Sequence, residues 1–350
     1  MLHINDFILQ AQQKGASDLH IVCGLPIKCR LDGKMQTLSD TVPTPQDCEV
    51  LAQELAGAQF ETIRESGELD LALTADCGVR VRANIFHAGG ALSFAIRLLN
   101  DVIPEIEDLD LPPIALQLPT YPSGLVLITG ETGSGKSTTL AAVLNRINHT
   151  ACRHIITLED PIEFLHSHKK SIVSQREVAH DTESYTVGLR AALRESPRVI
   201  LLGEMRDYET IRIAMTAAET GQLLLSSLHT IGAVSTIDRI IDVFPSDQQQ
   251  QVRLQFALTV QAIVSQQLLP ATDGTMVPAF EIMLANPAIR TLIREGKTHQ
   301  LNNTILNGQK DGMTTMDADI LRLYREGAIT RETALAYAFD PEQMDRRLSM

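Results

Sequence analysis

Residues 130 to 137 read Gly-Glu-Thr-Gly-Ser-Gly-Lys-Ser, a full match to the pattern G-x-x-x-x-G-K-[ST]. Glycines let a backbone bend closely round phosphate oxygens. The amides of such a loop, with the positive end of the helix that follows, supply the opposing charge. Lys136 is spaced to reach β- and γ-phosphates, and the Ser137 hydroxyl to ligate Mg²⁺. The expected nucleotide-holding stretch is therefore Gly130, Glu131, Thr132, Gly133, Ser134, Gly135, Lys136, Ser137 and Thr138, with ATP and Mg²⁺ as the implied ligands. Glu131, a carboxylate inside an anion-binding loop, is expected to point to solvent.

Three further segments carry suitable chemistry. The apolar run Val199 to Leu202 leads into Gly203 and Glu204. Carboxylates at the C-terminal ends of parallel strands face the ligand crevice. Gly203 stands where many P-loop ATPases carry Asp, which leaves Glu204 to support the metal and its waters. The segment Leu158-Glu159-Asp160-Pro161-Ile162-Glu163-Phe164 sets three acids after another apolar run. Seen alone it reads as a solvated turn; beside a phosphate site it offers a group to orient and deprotonate an attacking water. Leu228-His229-Thr230 follows the apolar run Leu223 to Ser227. A lone His is more often structural, but at a strand end it can hydrogen-bond a γ-phosphate and report its loss.

These segments need a scaffold that gathers strand ends. From Gly124 onward, strands at 125–129, 154–158, 199–202 and 223–227 alternate with helices at 136–148 and 210–220. That alternation predicts an α/β fold with a largely parallel sheet covered by helices. Residues 1 to 100 read as a small α+β domain. Its first helix aligns Ile4, Phe7, Ile8 and Ala11 and stops near Gly15. Strands follow at 18–22 and 27–31, turned by Asp32-Gly33, then helical stretches at 44–53 and 59–66, then strands at 69–74, 79–83 and 91–98. Residues 101 to 122 hold Pro104, Pro112, Pro113, Pro119 and Pro122, and are expected as a linker with short helical turns at most. The P-loop core is expected over 123–285 and a helical segment over 286–350. In the latter, Asn286 is a good N-cap, Pro287 suits the first turn, Ile289, Leu292 and Ile293 share a face, and Gly296 ends the helix.

The composition is globular, with 44% hydrophobic and 21% charged residues among 350. A net charge of -13 and a pI near 5.2 disfavour nucleic acid as a partner, since phosphate backbones call for a basic surface. Cys23, Cys29, Cys48, Cys77 and Cys152 show no C-x-x-C spacing and read as free thiols, with Cys77 and Cys152 as packing residues. No apolar stretch reaches the roughly 20 residues that span a bilayer, and the first residues lack a secretory signal. Cytoplasmic residence without membrane insertion is the expectation.

Four segments in this order resemble the Walker A, Asp box, Walker B and His box of the secretion ATPases, the hexameric motors of type II secretion and type IV pili. They are 130–140, 159–164, 203–207 and 220–230. Gly203 in place of Asp is usual in that family. Within it the resemblance is to the PilT-type retraction ATPases of twitching motility, carried by Gly15 to His20, Ala214 to Thr220, Asp238 to Pro245 and Ala288 to Glu295. The last is similar to the family's AIRNLIRE motif, with Thr291 for Asn. The resemblance implies an N-terminal PAS-like domain, a RecA-like core and a homohexamer that hydrolyses ATP. It implies Glu163 as general base, Glu204 supporting metal and water, and His229 as γ-phosphate sensor. It also implies arginines of the N-terminal domain near the neighbouring subunit's ATP, here Arg82 and Arg97 ahead of Arg80. The implied partners are the pilus platform protein of the inner membrane and a second retraction ATPase. Rival readings are an accessory PilU-like ATPase, an extension motor, which would carry a paired CxxC zinc site, and a nucleotide-dependent regulatory module without turnover.

Overall fold

Two units, Met1–Val102 and Ile103–Met350, are described in a computed structural model that covers residues 2–31, 33–99 and 102–349. Asp32 of the expected turn and Asp101 at the head of the expected linker lie outside the described residues.

The first unit runs α1 Ile4–Gln13, β1 Asp18–Val22, β2 Ile27–Leu31, β3 Lys34–Ser39, α2 Pro45–Ala56, α3 Phe60–Ser66, β4 Glu68–Thr74, β5 Arg80–Ala88 and β6 Ala91–Leu98. Its strands form one antiparallel sheet in the order β3-β2-β1-β6-β5-β4. Alternation decides the faces. Leu19, Ile21, Val81, Ala83, Ile85, Phe94 and Ile96 point inward and bury Ile4, Ile8, Leu51 and Leu55 of the helices. α2 starts at a capping box: the Asp47 N–H donates to Thr44 Oγ1 at 3.2 Å and the Thr44 N–H to Asp47 Oδ2 at 2.9 Å. β3 has no counterpart among the expected strands. It forms the sheet edge, where Lys34 to Thr37 are all exposed and Leu38 alone of its residues is buried, so no apolar alternation marks it.

The second unit adds β7 Gly124–Thr129, α4 Lys136–Thr150, β8 His154–Glu159, β9 Ile172–Glu177, α5 Tyr185–Ala192, β10 Val199–Leu202, α6 Tyr208–Glu219, β11 Leu223–Leu228, α7 Ala233–Asp242, α8 Gln249–Thr259, β12 Val260–Pro270 and β13 Met276–Leu284. Five helices close it: α9 Pro287–Arg294, α10 Leu301–Asn307, α11 Met316–Arg325, α12 Arg331–Tyr337 and α13 Pro341–Leu348. The sheet order is β13-β12-β7-β11-β10-β8-β9, with β13 antiparallel to β12 and every other neighbour pair parallel. The fold is thus α/β, as the alternation predicts. β7, β10 and β11 are buried along their whole length. Leu125 and Leu127 face one layer of helices, and Val126 and Ile128 face the other with α4.

The proline-rich stretch departs from the expected linker. From Ile103 it belongs to the second unit, and Ile106, Ala115 and Leu118 are buried in the core beneath α4. Prolines deny the segment α-helical hydrogen bonds. They still permit the tighter turns seen at Ile106–Asp108 and Pro113–Thr120, whose apolar residues pack inward. Cys152 also departs from expectation: it is exposed after α4, whereas Cys77 is half-buried against the first core. Among the described residues no helix is long and apolar enough to cross a membrane.

Candidate functional site

The P-loop joins β7 to α4. Lys136, at the first position of α4, is buried, and its Nζ donates to the Gly130 carbonyl at 2.8 Å and the Glu131 carbonyl at 2.7 Å. Burial holds the ammonium pKa below its ordinary value, against the carboxylates of Glu163, Glu204 and Glu131. α4 opens on Gly135 with no side chain capping its first amides, so those donors face the loop. The Ser134 hydroxyl is buried there without a partner. These features suit a phosphate chain, which would take both the amides and the orphaned hydroxyl. Glu131 is exposed at the loop's rim, together with Thr132 and Gly133, while Ser137 and Thr138 are half-buried in the first turn of α4.

A residue that sequence reasoning missed holds this loop from below. Gln266 of β12 is buried, accepts from Thr139 Oγ1 at 3.0 Å through Oε1, and donates through Nε2 to the Ser134 carbonyl. Gly130 passes so close that a Cβ there would lie 2.2 Å from the Gln266 carbonyl, and its φ of 144° is one side chains rarely adopt. Only the register between β7 and β12 reveals this strut, so sequence spacing carries no signal for it.

Glu204 follows β10, two strands from the P-loop. It is buried, in contact with Arg206, and 3.4 Å from His229 Nε2. His229 follows β11, where Leu228 pairs with Thr129 of β7 and accepts the Gly130 N–H at 3.2 Å. The two loops are therefore neighbours. Gly203 is explained by space: a Cβ would meet the Tyr185 hydroxyl at 3.1 Å and the Leu158 carbonyl at 3.4 Å. Tyr185, another residue sequence reasoning missed, starts α5 beside Glu204 and Asp160. Burial and those carboxylates hold its phenol protonated well past the usual range.

The three acids after β8 separate by environment. Glu159 accepts from Thr157 Oγ1 at 2.6 Å and Gln175 Nε2 at 3.3 Å, and burial raises its pKa. It is committed to holding the turn. Glu177 of β9 accepts the Ile162 N–H at 3.1 Å and secures the same segment. Asp160 and Glu163 are exposed, and Glu163 is the carboxylate with the largest pull on Lys136. In the first unit, Arg82 and Arg97 sit opposite each other in the β5–β6 register, both exposed on the outer face, while Arg80 is buried. Arg97 Nε lies 3.2 Å from Asp18. Like charges directly opposite on a sheet are unfavourable, and the Asp18 carboxylate offsets the Arg97 side of the pair.

The C-terminal motif splits into two faces. Ile289 and Ile293 are fully buried, while Arg290 donates to the Leu258 carbonyl at 3.0 Å and so caps α8. Asn286 caps α9 by accepting the Ile289 N–H at 2.9 Å. Thr291 faces outward, lining a groove with Pro287, Leu292, Gln300 and Asn303.

Comparison with known proteins covers nearly the whole chain. The profile of the type II/IV secretion system protein family matches residues 2–310. The type IV pilus retraction ATPase PilT of Pseudomonas aeruginosa is 41% identical over 342 residues, 97% of this chain and 99% of that protein. The type IV pilus ATPase PilU of the same organism is 38% identical over 328 residues, 93% of this chain and 86% of that one. A crystal structure of the pilus retraction motor PilT with bound ADP superposes with a TM-score of 0.92 at 43% identity, covering 99% of this chain and 100% of that one. Four motifs on neighbouring strand ends, and relatives matched end to end, make this chain a member of the type II/IV secretion system protein family.

Proposed function

We propose that this chain is the subunit of a homohexameric ring that hydrolyses ATP to retract a type IV pilus, the work behind twitching motility. The observation that carries this reading is the gathering of Lys136, Glu204, His229 and Glu163 at the C-terminal ends of β7, β10, β11 and β8. A simple switch needs the first of these and has little use for the rest.

Lys136 exchanges its two carbonyl partners for phosphate oxygens when nucleotide enters. The α4 amides and the Ser134 hydroxyl take the remaining oxygens. Glu163 receives a proton from the attacking water, and Glu204 orients water while His229 donates to the γ-phosphate. Ser137, with Glu204 through water, would hold Mg²⁺, which supplies charge neutralisation at the phosphates. Arg82 and Arg97 complete a neighbouring subunit's site, where a planar, permanently charged group suits the transition state. The chain works at the inner membrane through a platform protein, alone or beside a second ATPase.

The experiment is Mg²⁺-dependent ATP turnover against protein concentration, with Lys136→Ala as control. Turnover should rise cooperatively as rings form and vanish in the control. The likeness to PilU favours a second reading, an accessory ATPase. Rescue of twitching in a strain lacking all retraction ATPases selects the motor; rescue only beside another motor selects the accessory.

A further inference from the structure

Glu281 lies in β13, buried, and is met by backbone amides in place of a cation. Its Oε1 accepts the Ala233 N–H at 2.7 Å and its Oε2 the Met316 N–H at 3.4 Å. These are the first residues of α7 and α11. One buried carboxylate thus faces the positive ends of two helices. Burial raises its pKa, with Asp317 adding to the rise and the two amides opposing it.

The α7 side leads to the site described above. Ser265 pairs with Glu281 across β12 and β13, and its Oγ accepts the Gly232 N–H at 2.8 Å. Gly232 is the N-cap of α7 and ends the loop that carries His229. Thr236 Oγ1 binds the Gly232 carbonyl at 2.7 Å and Thr230 Oγ1 at 2.8 Å, closing the loop on itself. The α11 side leads to the C-terminal helices. The Ile282 N–H donates to the Thr314 carbonyl at 2.8 Å, and Asp319 of α11 accepts the Phe280 N–H at 2.8 Å. Asp317 accepts the Phe339 N–H at 2.7 Å, and the Phe339 ring lies 3.3 Å from where a Cβ on Gly232 would sit. The two sides therefore touch at Glu281 and again at Phe339.

We propose that Glu281, with Ser265, is a positioning residue that couples the His229 loop to α11, so that a γ-phosphate at the site alters residues 312–325. This rests on the reading of His229 as the group that meets the γ-phosphate. A carboxylate accepts at both oxygens, so it holds both helix starts at once. If the loop draws α7 away while α11 stays, a buried amide loses its carboxylate acceptor, an unfavourable outcome. Moving α11 with the loop avoids it. Glutamine offers one acceptor oxygen and a donor, so it serves one helix and repels the other.

The test is hydrogen exchange on the full chain, loaded with MgADP or with Mg²⁺ and a non-hydrolysable ATP analogue. In the native protein the amides of residues 312–325 should differ about fivefold or more in exchange rate between the two nucleotides. Glu281→Gln should bind MgADP within about threefold of the native protein, since ADP carries no γ-phosphate, yet show under about twofold difference at those amides. Ser265→Ala, a smaller change, should show the same loss and carries the test if Glu281→Gln does not fold. Nucleotide binding with no difference at 312–325 in the native protein overturns the coupling. So does a variant that keeps the full difference. A native chain that binds neither nucleotide overturns the ATPase reading itself, and the coupling with it.

Discussion

Lys136 sits where burial and charge oppose each other, and this sorts the carboxylates round it. Glu159 is committed to Thr157 and Gln175, which leaves Glu163 as the exposed carboxylate of that segment that acts on Lys136. Glu163→Gln should lower turnover by about a hundredfold or more, the usual worth of a positioned base, with nucleotide affinity nearly unchanged. Steady-state kinetics beside a binding titration check it, and turnover within a few-fold of the native value sinks the assignment. Gln266 predicts the opposite split. Gln266→Ala strips the donor from the Ser134 carbonyl of the loop and the acceptor from Thr139 of α4, both buried, each loss costing about 1–3 kcal/mol. Part of that should appear as roughly tenfold weaker nucleotide binding, since tenfold is about 1.4 kcal/mol. A titration showing native affinity would remove Gln266 from the site.

At the scale of elements, α9 separates packing from surface. Ile293→Ala should cost about 2–5 kcal/mol, the range for a buried aliphatic truncation. Thr291→Asn and Arg294→Ala on the outer face should stay within about 0.5 kcal/mol. Urea unfolding measures all three, and a motility assay on the outer variants then reads function without stability. The β8–β9 connection makes a pH prediction. His166 is half-buried, its Nδ1 is buried without a partner among the described residues, and this desolvation lowers its pKa to about 4. The folded state stays neutral while the unfolded chain takes up a proton from about pH 6.5 downward, so this contribution is complete above 6.5 and lost between 6.5 and 4. At pH 5 the loss is about 2 kcal/mol, and His166→Leu should flatten that part of the curve. Equal pH slopes for both proteins would refute the point. The same elements show where sequence reading stops. Strands β1, β6, β7 and β10 are legible because their apolar runs or alternations are long and bounded by turns. β3 is hidden because, at the sheet edge, Lys34 to Thr37 are exposed and no alternation shows, and β9 is hidden by half-exposed residues, Ser174, Gln175 and Arg176. The site's motif residues are legible because their spacing is local. Gln266, Tyr185 and Glu281 are not, because each meets its partners only through strand register or helix packing.

At the scale of the whole molecule, the charged groups proposed for catalysis are divided between units. Lys136, Glu163, Glu204 and His229 belong to the second unit, and Arg82 and Arg97 to the first. If a site takes its arginines from a neighbouring subunit, each protomer contributes to two sites, and two different dead proteins can repair one another. Lys136→Ala has sound arginines and a dead loop. Arg82→Ala/Arg97→Ala has a sound loop and no arginines. Each alone should be inactive. In a randomly mixed ring, about a quarter of the interfaces join a sound loop to sound arginines, as heterologous ring contacts require. Mixing equal amounts, with time for subunits to exchange, should therefore restore turnover up to about a quarter of the native rate where each site fires independently. Recovery would mean that the site is built between subunits and that the ring is the catalytic entity. No recovery, with mixed rings confirmed by mass, is decided by the native monomer: hydrolysis that persists there means that the arginines serve their own subunit, and its loss means that adjacent sites must fire together, since no two adjacent interfaces of a mixed ring are both sound.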